Sequence, residues 1–100
     1  MDLSIVVDGS CAMMALTGKL TAATAPELDA AVKGLSEDIA SIDIDMAGLD
    51  YIASAGLRVL VGAEKMAKQR GGKVRLLHPI SDVMDILDLT GLVAVFEVVE

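Results

Sequence analysis

At 100 residues the chain has the length of one domain, enough to bury roughly 65% of its unfolded surface around a single modest core. Hydrophobic residues make up 54% but aromatics only 2%, so that core has to be built from Leu, Ile, Val, Ala and the six Met. With 15 acidic against 8 basic residues, the net charge of −7 argues against nucleic acid and anionic membrane as partners and fits one that is neutral or basic at the contact.

Met1-Asp2-Leu3-Ser4 carries no basic segment ahead of an apolar one, so no signal peptide is expected, and no apolar run reaches the ~20 residues of a membrane helix. Leu3–Val7 is β-branched and leads into Asp8-Gly9, a two-residue hairpin signal, which makes Ser10–Thr17 the returning strand. Met13 and Met14 are neighbours and cannot both face inward on it. Cys11, the single cysteine, allows no internal disulfide, fits a reducing cytoplasm and reads as a small buried hydrophobe. Gly18–Ala23 reads as a loop. Thr24 and Glu27 then have capping-box spacing, with Pro26 in the first helical turn. Leu28, Ala31, Val32 and Leu35 follow at i, i+3, i+4 and i+7, the pattern of a one-faced helix of about three turns.

Ser41–Met46 alternates, Ile42 and Ile44 to one side and Asp43 and Asp45 to the other. Acidic residues along one face predict a sheet with one side open to water and helices mainly on the other. The next helix is expected from Ser54 to about Gln69. Leu57, Leu60, Ala63 or Glu64, and Ala67 would line its buried face, with Arg58, Gly62, Lys65 and Gln69 opposite. Glu64 and Lys68 have the spacing of an i,i+4 ion pair, and Gly71-Gly72 stops the helix. Lys73–Leu77 is a short strand closed by His78-Pro79. Ser81 can cap a last helix with Val83, Ile86 and Leu87 inward, Thr90-Gly91 ends it, and Val95–Val99 is the last strand. The order is β-β-α-β-α-β-α-β, an α/β fold with a mixed five-stranded sheet whose first strand is antiparallel.

Chemistry concentrates on one corner. Ser54 stands where a strand gives way to a helix, the position of an N-cap, at the positive end of the helix dipole. Gly56 allows a close approach to the first turn. No Gly-rich phosphate loop, no nucleophile with a base and no paired catalytic acids occur, so an enzyme is not expected. His78 is the only histidine, and Asp43, Asp45 and Asp50 lack the spacing of a calcium loop; they read as a solvated face, and no metal or cofactor is expected.

Ala53-Ser54-Ala55-Gly56-Leu57 resembles the Asp-Ser-Ser-Gly-Leu motif of the STAS domain, the fold of bacterial anti-sigma factor antagonists. The resemblance extends to Gly18–Leu28 and to Leu89-Thr90-Gly91-Leu92, and so spans nearly the whole chain as a single STAS-like domain, 1–100. It implies that Ser54 is a phosphate acceptor. It implies partner switching: the unphosphorylated domain binds an anti-sigma factor that is also a serine kinase, the kinase uses its own ATP and magnesium to phosphorylate Ser54, and a Ser phosphatase resets the switch. Ala53, Thr21 and Ala55 stand where the family often has Asp, Asp and Ser. The partner face expected beside the switch comprises Thr21, Ala53, Ala55, Gly56, Arg58, Val59, Gly62 and Met66, on a cytoplasmic protein that is a monomer when free. Two other readings remain open: an unphosphorylated STAS scaffold in another assembly, such as a lipid-transport complex, and a small-ligand binder using the acidic sheet face.

Overall fold

In the computed structural model, which describes residues 1–100, the strands are β1 (Asp2–Asp8), β2 (Cys11–Leu20), β3 (Ser41–Ile52), β4 (Val74–Leu77) and β5 (Glu97–Val99). The helices are α1 (Ala25–Lys33) between β2 and β3, α2 (Ser54–Gln69) between β3 and β4, and α3 (Ser81–Leu89) after β4, followed by a 3-10 turn at Leu92–Ala94. The strands form one sheet in chain order, β1 antiparallel to β2 and every later neighbour parallel, as the alternation of elements predicts.

Period-two burial decides which side of the sheet the helices cover. Met14, Leu16, Ile42, Ile44, Val74 and Leu76 point to one face and are at most 1% exposed. They form one core with Leu28 and Val32 of α1, Leu57, Leu60, Ala63 and Ala67 of α2, and Val83 and Leu87 of α3, so all three helices lie on that face. Met13, on the opposite side from Met14, is 37% exposed. The helices obey their apolar spacing, and α2 ends as its glycines dictate. Gly71 takes φ +83°, and the N–H groups of Gly71 and Gly72 donate to the carbonyls of Lys68 (3.1 Å) and Ala67 (2.8 Å), a Schellman closure.

Several local expectations shift. Asp8 pairs with Cys11, so the hairpin turn is Gly9-Ser10 rather than Asp8-Gly9; only its first central residue has positive φ, the type II′ pattern, which puts Gly there. The stretch expected as a loop at Gly18–Ala23 is strand as far as Leu20. Two register shifts against β3, the second beside Gly18, carry the pairing through to Leu20↔Ile52. β3 correspondingly continues past Met46 to Ile52, and Asp45 accepts the Ala47 N–H at 3.0 Å where the first irregularity lies. Thr24 does not form a capping box. Its hydroxyl accepts the Thr21 N–H (2.8 Å) and donates to the Lys19 carbonyl (2.9 Å), tying the β2–α1 loop to the strand it leaves. Ser81 does not cap α3; Ile80 is the extended residue before it, with no side-chain bond. The last strand begins only at Glu97, because Leu92–Ala94 winds into the 3-10 turn.

Candidate functional site

The corner at Ser54 is built by backbone pairing between β2 and β3. Leu20 lies beside Ile52 in the register, and the Ala53 N–H donates to the Leu20 carbonyl at 2.8 Å. That bond holds Ala53 extended (φ −95°, ψ 169°), as though β3 continued one residue further. The helix therefore starts one residue earlier than an N-cap reading of Ser54 requires. Ala53 is the N-cap, without a side chain able to cap, and Ser54 is the first helical residue. Ala53's carbonyl accepts the N–H groups of Gly56 (2.9 Å) and Leu57 (3.1 Å). The N–H groups of Ser54 and Ala55 precede any carbonyl that the helix could offer them. Ser54 is exposed, and its hydroxyl makes no hydrogen bond. The site thus joins a free hydroxyl, two unpaired N–H donors and the positive end of a 16-residue helix.

Gly56 sits beneath this surface rather than on it. A Cβ there would stand 2.6 Å from Leu20 Cγ and 3.1 Å from Ile52 Cγ1. Gly56 is buried and lets α2 settle on the ends of β2 and β3, so it shapes the corner and offers a partner no surface of its own. Thr21 is half-buried at the same end, its Oγ1 accepting the Ala23 N–H at 3.2 Å. Along α2, Ser54, Arg58, Gly62 and Met66 follow at i, i+4, i+8 and i+12 and share one side of the helix. Arg58 and Gly62 are exposed, and no atom lies within 4 Å of a Cβ built on Gly62. Ala55, Val59 and Met66 are half-buried, each packed on the core with an edge outward.

The acidic face of β3 is only partly solvated: Asp50 is exposed and Asp45 half-buried, but Asp43 is enclosed. Asp43 is only 6% exposed and accepts two bonds from Arg75 on β4, from Nε at 2.8 Å and from Nη2 at 2.6 Å. Glu97 on β5 bonds Lys73 Nζ at 2.9 Å and lies 3.8 Å from Arg75 Nε. Arg75's hydrogen bonds hold the Asp43 carboxyl below the usual carboxylate range despite its burial. Cys11 is half-buried on this open face rather than in the core, lining a shallow hollow with Val6, Asp8, Met13 and Asp43. Burial, then the Asp43 charge, raises its thiol pKa. Glu64 is buried as well. Its carboxylate accepts the Val74 N–H at 3.2 Å and makes no pair with Lys68. Sequence reading missed both carboxylates' partners, although Arg75, at an outward position of the neighbouring strand, was the available signal for Asp43. No helix is long and apolar enough to cross a membrane.

This architecture is shared. The family model of the STAS domain matches residues 2–100. The anti-sigma-B factor antagonist of Bacillus subtilis (strain 168) is 30% identical over 83 residues, which cover 83% of this chain and 76% of that protein. The crystal structure of an anti-sigma factor antagonist from Mycobacterium paratuberculosis has a TM-score of 0.85 at 19% identity, covering 98% of this chain and 84% of that one. The phosphorylated form of the Bacillus cell fate determinant SpoIIAA has a TM-score of 0.78 at 16% identity, covering 99% and 92%. With the mixed sheet in place and the family model spanning nearly the whole chain, the chain belongs to the STAS domain family, among the anti-sigma factor antagonists.

Proposed function

We propose that this protein is a partner-switching anti-sigma factor antagonist whose switch is Ser54. The unmodified domain binds an anti-sigma factor through the corner formed by Thr21, Ala53 and Ser54 and the α2 side that carries Arg58, Val59, Gly62 and Met66. The anti-sigma factor is also a serine kinase. It transfers the γ-phosphoryl group of ATP to Ser54 Oγ, releasing ADP, and a phosphatase later hydrolyses the ester. The observation that carries this reading is the exposed Ser54 hydroxyl, which has no structural bond to lose. The chemistry of the corner suits the modification, since helix N-terminal N–H groups receive phosphate and Arg58 stands one turn on. The similarity to an anti-sigma-B factor antagonist supports the choice of partner class.

Phosphate adds roughly −1.5 to −2 charges and considerable bulk at the centre of the contact. A penalty of about 3 kcal/mol there weakens binding more than a hundredfold. Partner affinity measured for wild type, Ser54→Ala, Ser54→Asp and the phosphorylated protein tests this. Ser54→Ala retains binding and cannot be switched, while Ser54→Asp and the phosphoprotein bind at least a hundredfold more weakly with the fold intact. If the cognate kinase leaves Ser54 unmodified and Ser54→Asp binds like wild type, the switch is abandoned and only a binding module remains.

A further inference from the structure

The two edges of the sheet are finished differently. β5 has only three residues, and Glu97 on it is engaged with Lys73. Short length and charge are the ordinary protections of a sheet edge. β1 has neither. It is seven residues long, pairs with β2 without a register shift, and has no proline and no basic residue. Six of its seven residues are exposed, among them Ile5 at 41%, Val6 at 64% and Val7 at 55%.

We propose that the outer edge of β1 is a self-recognition surface, where a second copy of this chain pairs antiparallel about a two-fold axis at Val6. The two-residue turn makes Asp8 and Cys11 a hydrogen-bonded pair, so alternation directs the backbone groups of Asp8, Val6 and Ser4 toward β2. Those of Leu3, Ile5 and Val7 point away from the sheet, unpaired. An axis at Val6 sets Ile5 of each copy opposite Val7 of the other, and these are residues whose N–H and C=O groups face outward. Val6 meets Val6, so the three exposed apolar residues cover one another. Ser4 falls opposite Asp8, whose carboxylate can accept the Ser4 hydroxyl proton, and no like charges face each other. Shifting the axis to Ile5 would instead set Asp2 against Asp8 at both ends, a repulsive cross-strand pairing. The strand is thus chemically palindromic about Val6: polar, three apolar, polar. The resulting ten-stranded sheet closes as a dimer, because each copy spends its one unprotected edge. It replaces the free monomer suggested by the sequence and leaves both Ser54 corners accessible.

Sedimentation velocity of the full chain across a concentration series up to millimolar tests the pairing. A concentration-dependent dimer is expected. Val6→Lys, which sets two ammonium groups together on the axis, should abolish it while circular dichroism and the melting temperature stay at wild type. In a Cys11→Ser background, Val6→Cys should form an interchain disulfide under mild oxidation, because residues of a non-hydrogen-bonded pair lie close, whereas Ile5→Cys should not. A monomer at every concentration overturns the proposal and leaves the edge to a foreign strand. So does a dimer that survives Val6→Lys, an assembly larger than a dimer, or cross-linking through Ile5→Cys instead of Val6→Cys.

Discussion

The pair Asp43–Arg75 and the corner at Ser54 are the two polar centres of the molecule, and they are built on opposite terms. At the first, a nearly buried carboxylate has both oxygens engaged by one guanidinium, with Glu97 and Lys73 beyond it. At the second, a hydroxyl stands exposed with no partner and two N–H groups have no helical acceptor. A centre whose every bond is made has stability to lose and little to offer a partner. A centre with open valences has little stability to lose, which is what a modifiable switch requires. Substitutions should therefore separate the two, folding free energy responding at one and partner affinity at the other.

The largest effect on stability is expected at the closed centre, and it should be asymmetric. Arg75→Leu strands the Asp43 carboxylate in a site with almost no water access and should cost on the order of 2–3 kcal/mol. Asp43→Asn strands only a guanidinium that is already 40% exposed and can rehydrate, so it should cost less. Urea melts of both variants read the difference, and equal losses would mean that the carboxylate is less enclosed than its burial implies. The same pair fixes an acid limit. Asp43 titrates below its unfolded value in the folded state, so its contribution is complete above about pH 4 and is lost as pH falls through the lower folded value. The stability gap between wild type and Asp43→Asn should be constant near neutrality and close in acid.

A smaller loss is expected where the open centre rests on the core. In Gly56→Ala the new methyl meets Leu20, which is fully buried, and must displace it or lift the first turn of α2. Overpacking of this kind should cost about 1–2 kcal/mol. Because the displaced element carries Ser54, partner affinity should fall with stability, unlike at Arg75. A variant that loses stability while binding normally would mean that Leu20 yields and the helix does not.

The sequence made legible what period and breaker residues encode. Ile42 and Ile44 alternating with Asp43 and Asp45 disclosed the two-faced sheet, and Gly71-Gly72 the end of α2. What stayed hidden depends on a partner from elsewhere in the chain. Ser54 misses the cap by one residue because the Leu20 carbonyl, 33 positions upstream, holds Ala53 extended. Asp43 looked solvated because its partner lies on β4, and Glu64 looked like half of a surface pair because the Val74 N–H that it accepts lies beyond the helix. The β2 and β3 continuations past Thr17 and Met46 rest on register shifts that no local pattern announces.

On the outer side of α2 the sign of the effect should reverse. Gly62 is helical, exposed and has empty space where a Cβ would go, so Gly62→Ala should stabilise by about 0.5–1 kcal/mol through helix propensity alone. Gly62→Asp should also leave the fold intact. If α2 carries the partner face, it weakens binding by placing a negative charge there, and unchanged affinity would move the face elsewhere.

The smallest effect is expected at the switch residue itself, and its smallness is the point. Ser54→Ala removes a hydroxyl that bonds nothing and sits in water, so no hydrogen bond or burial is lost, and alanine is the better helix former. Stability should stay within about 0.5 kcal/mol of wild type, well short of the loss that removing a true N-cap brings. Ser54→Asp puts a carboxylate in the first turn, which contains no acidic residue, and interaction with the helix dipole should add about 0.3–1 kcal/mol. That gain should shrink in high salt and disappear once the new carboxyl is protonated, below about pH 4. Urea melts at two salt concentrations and two pH values resolve all of this. A clear loss in Ser54→Ala, rescued in Ser54→Asp, would restore the capping role and tie the switch to folding. Near-equality of wild type and Ser54→Ala leaves the hydroxyl free for chemistry, so that whatever phosphorylation does to binding is done at the contact and not by weakening the domain.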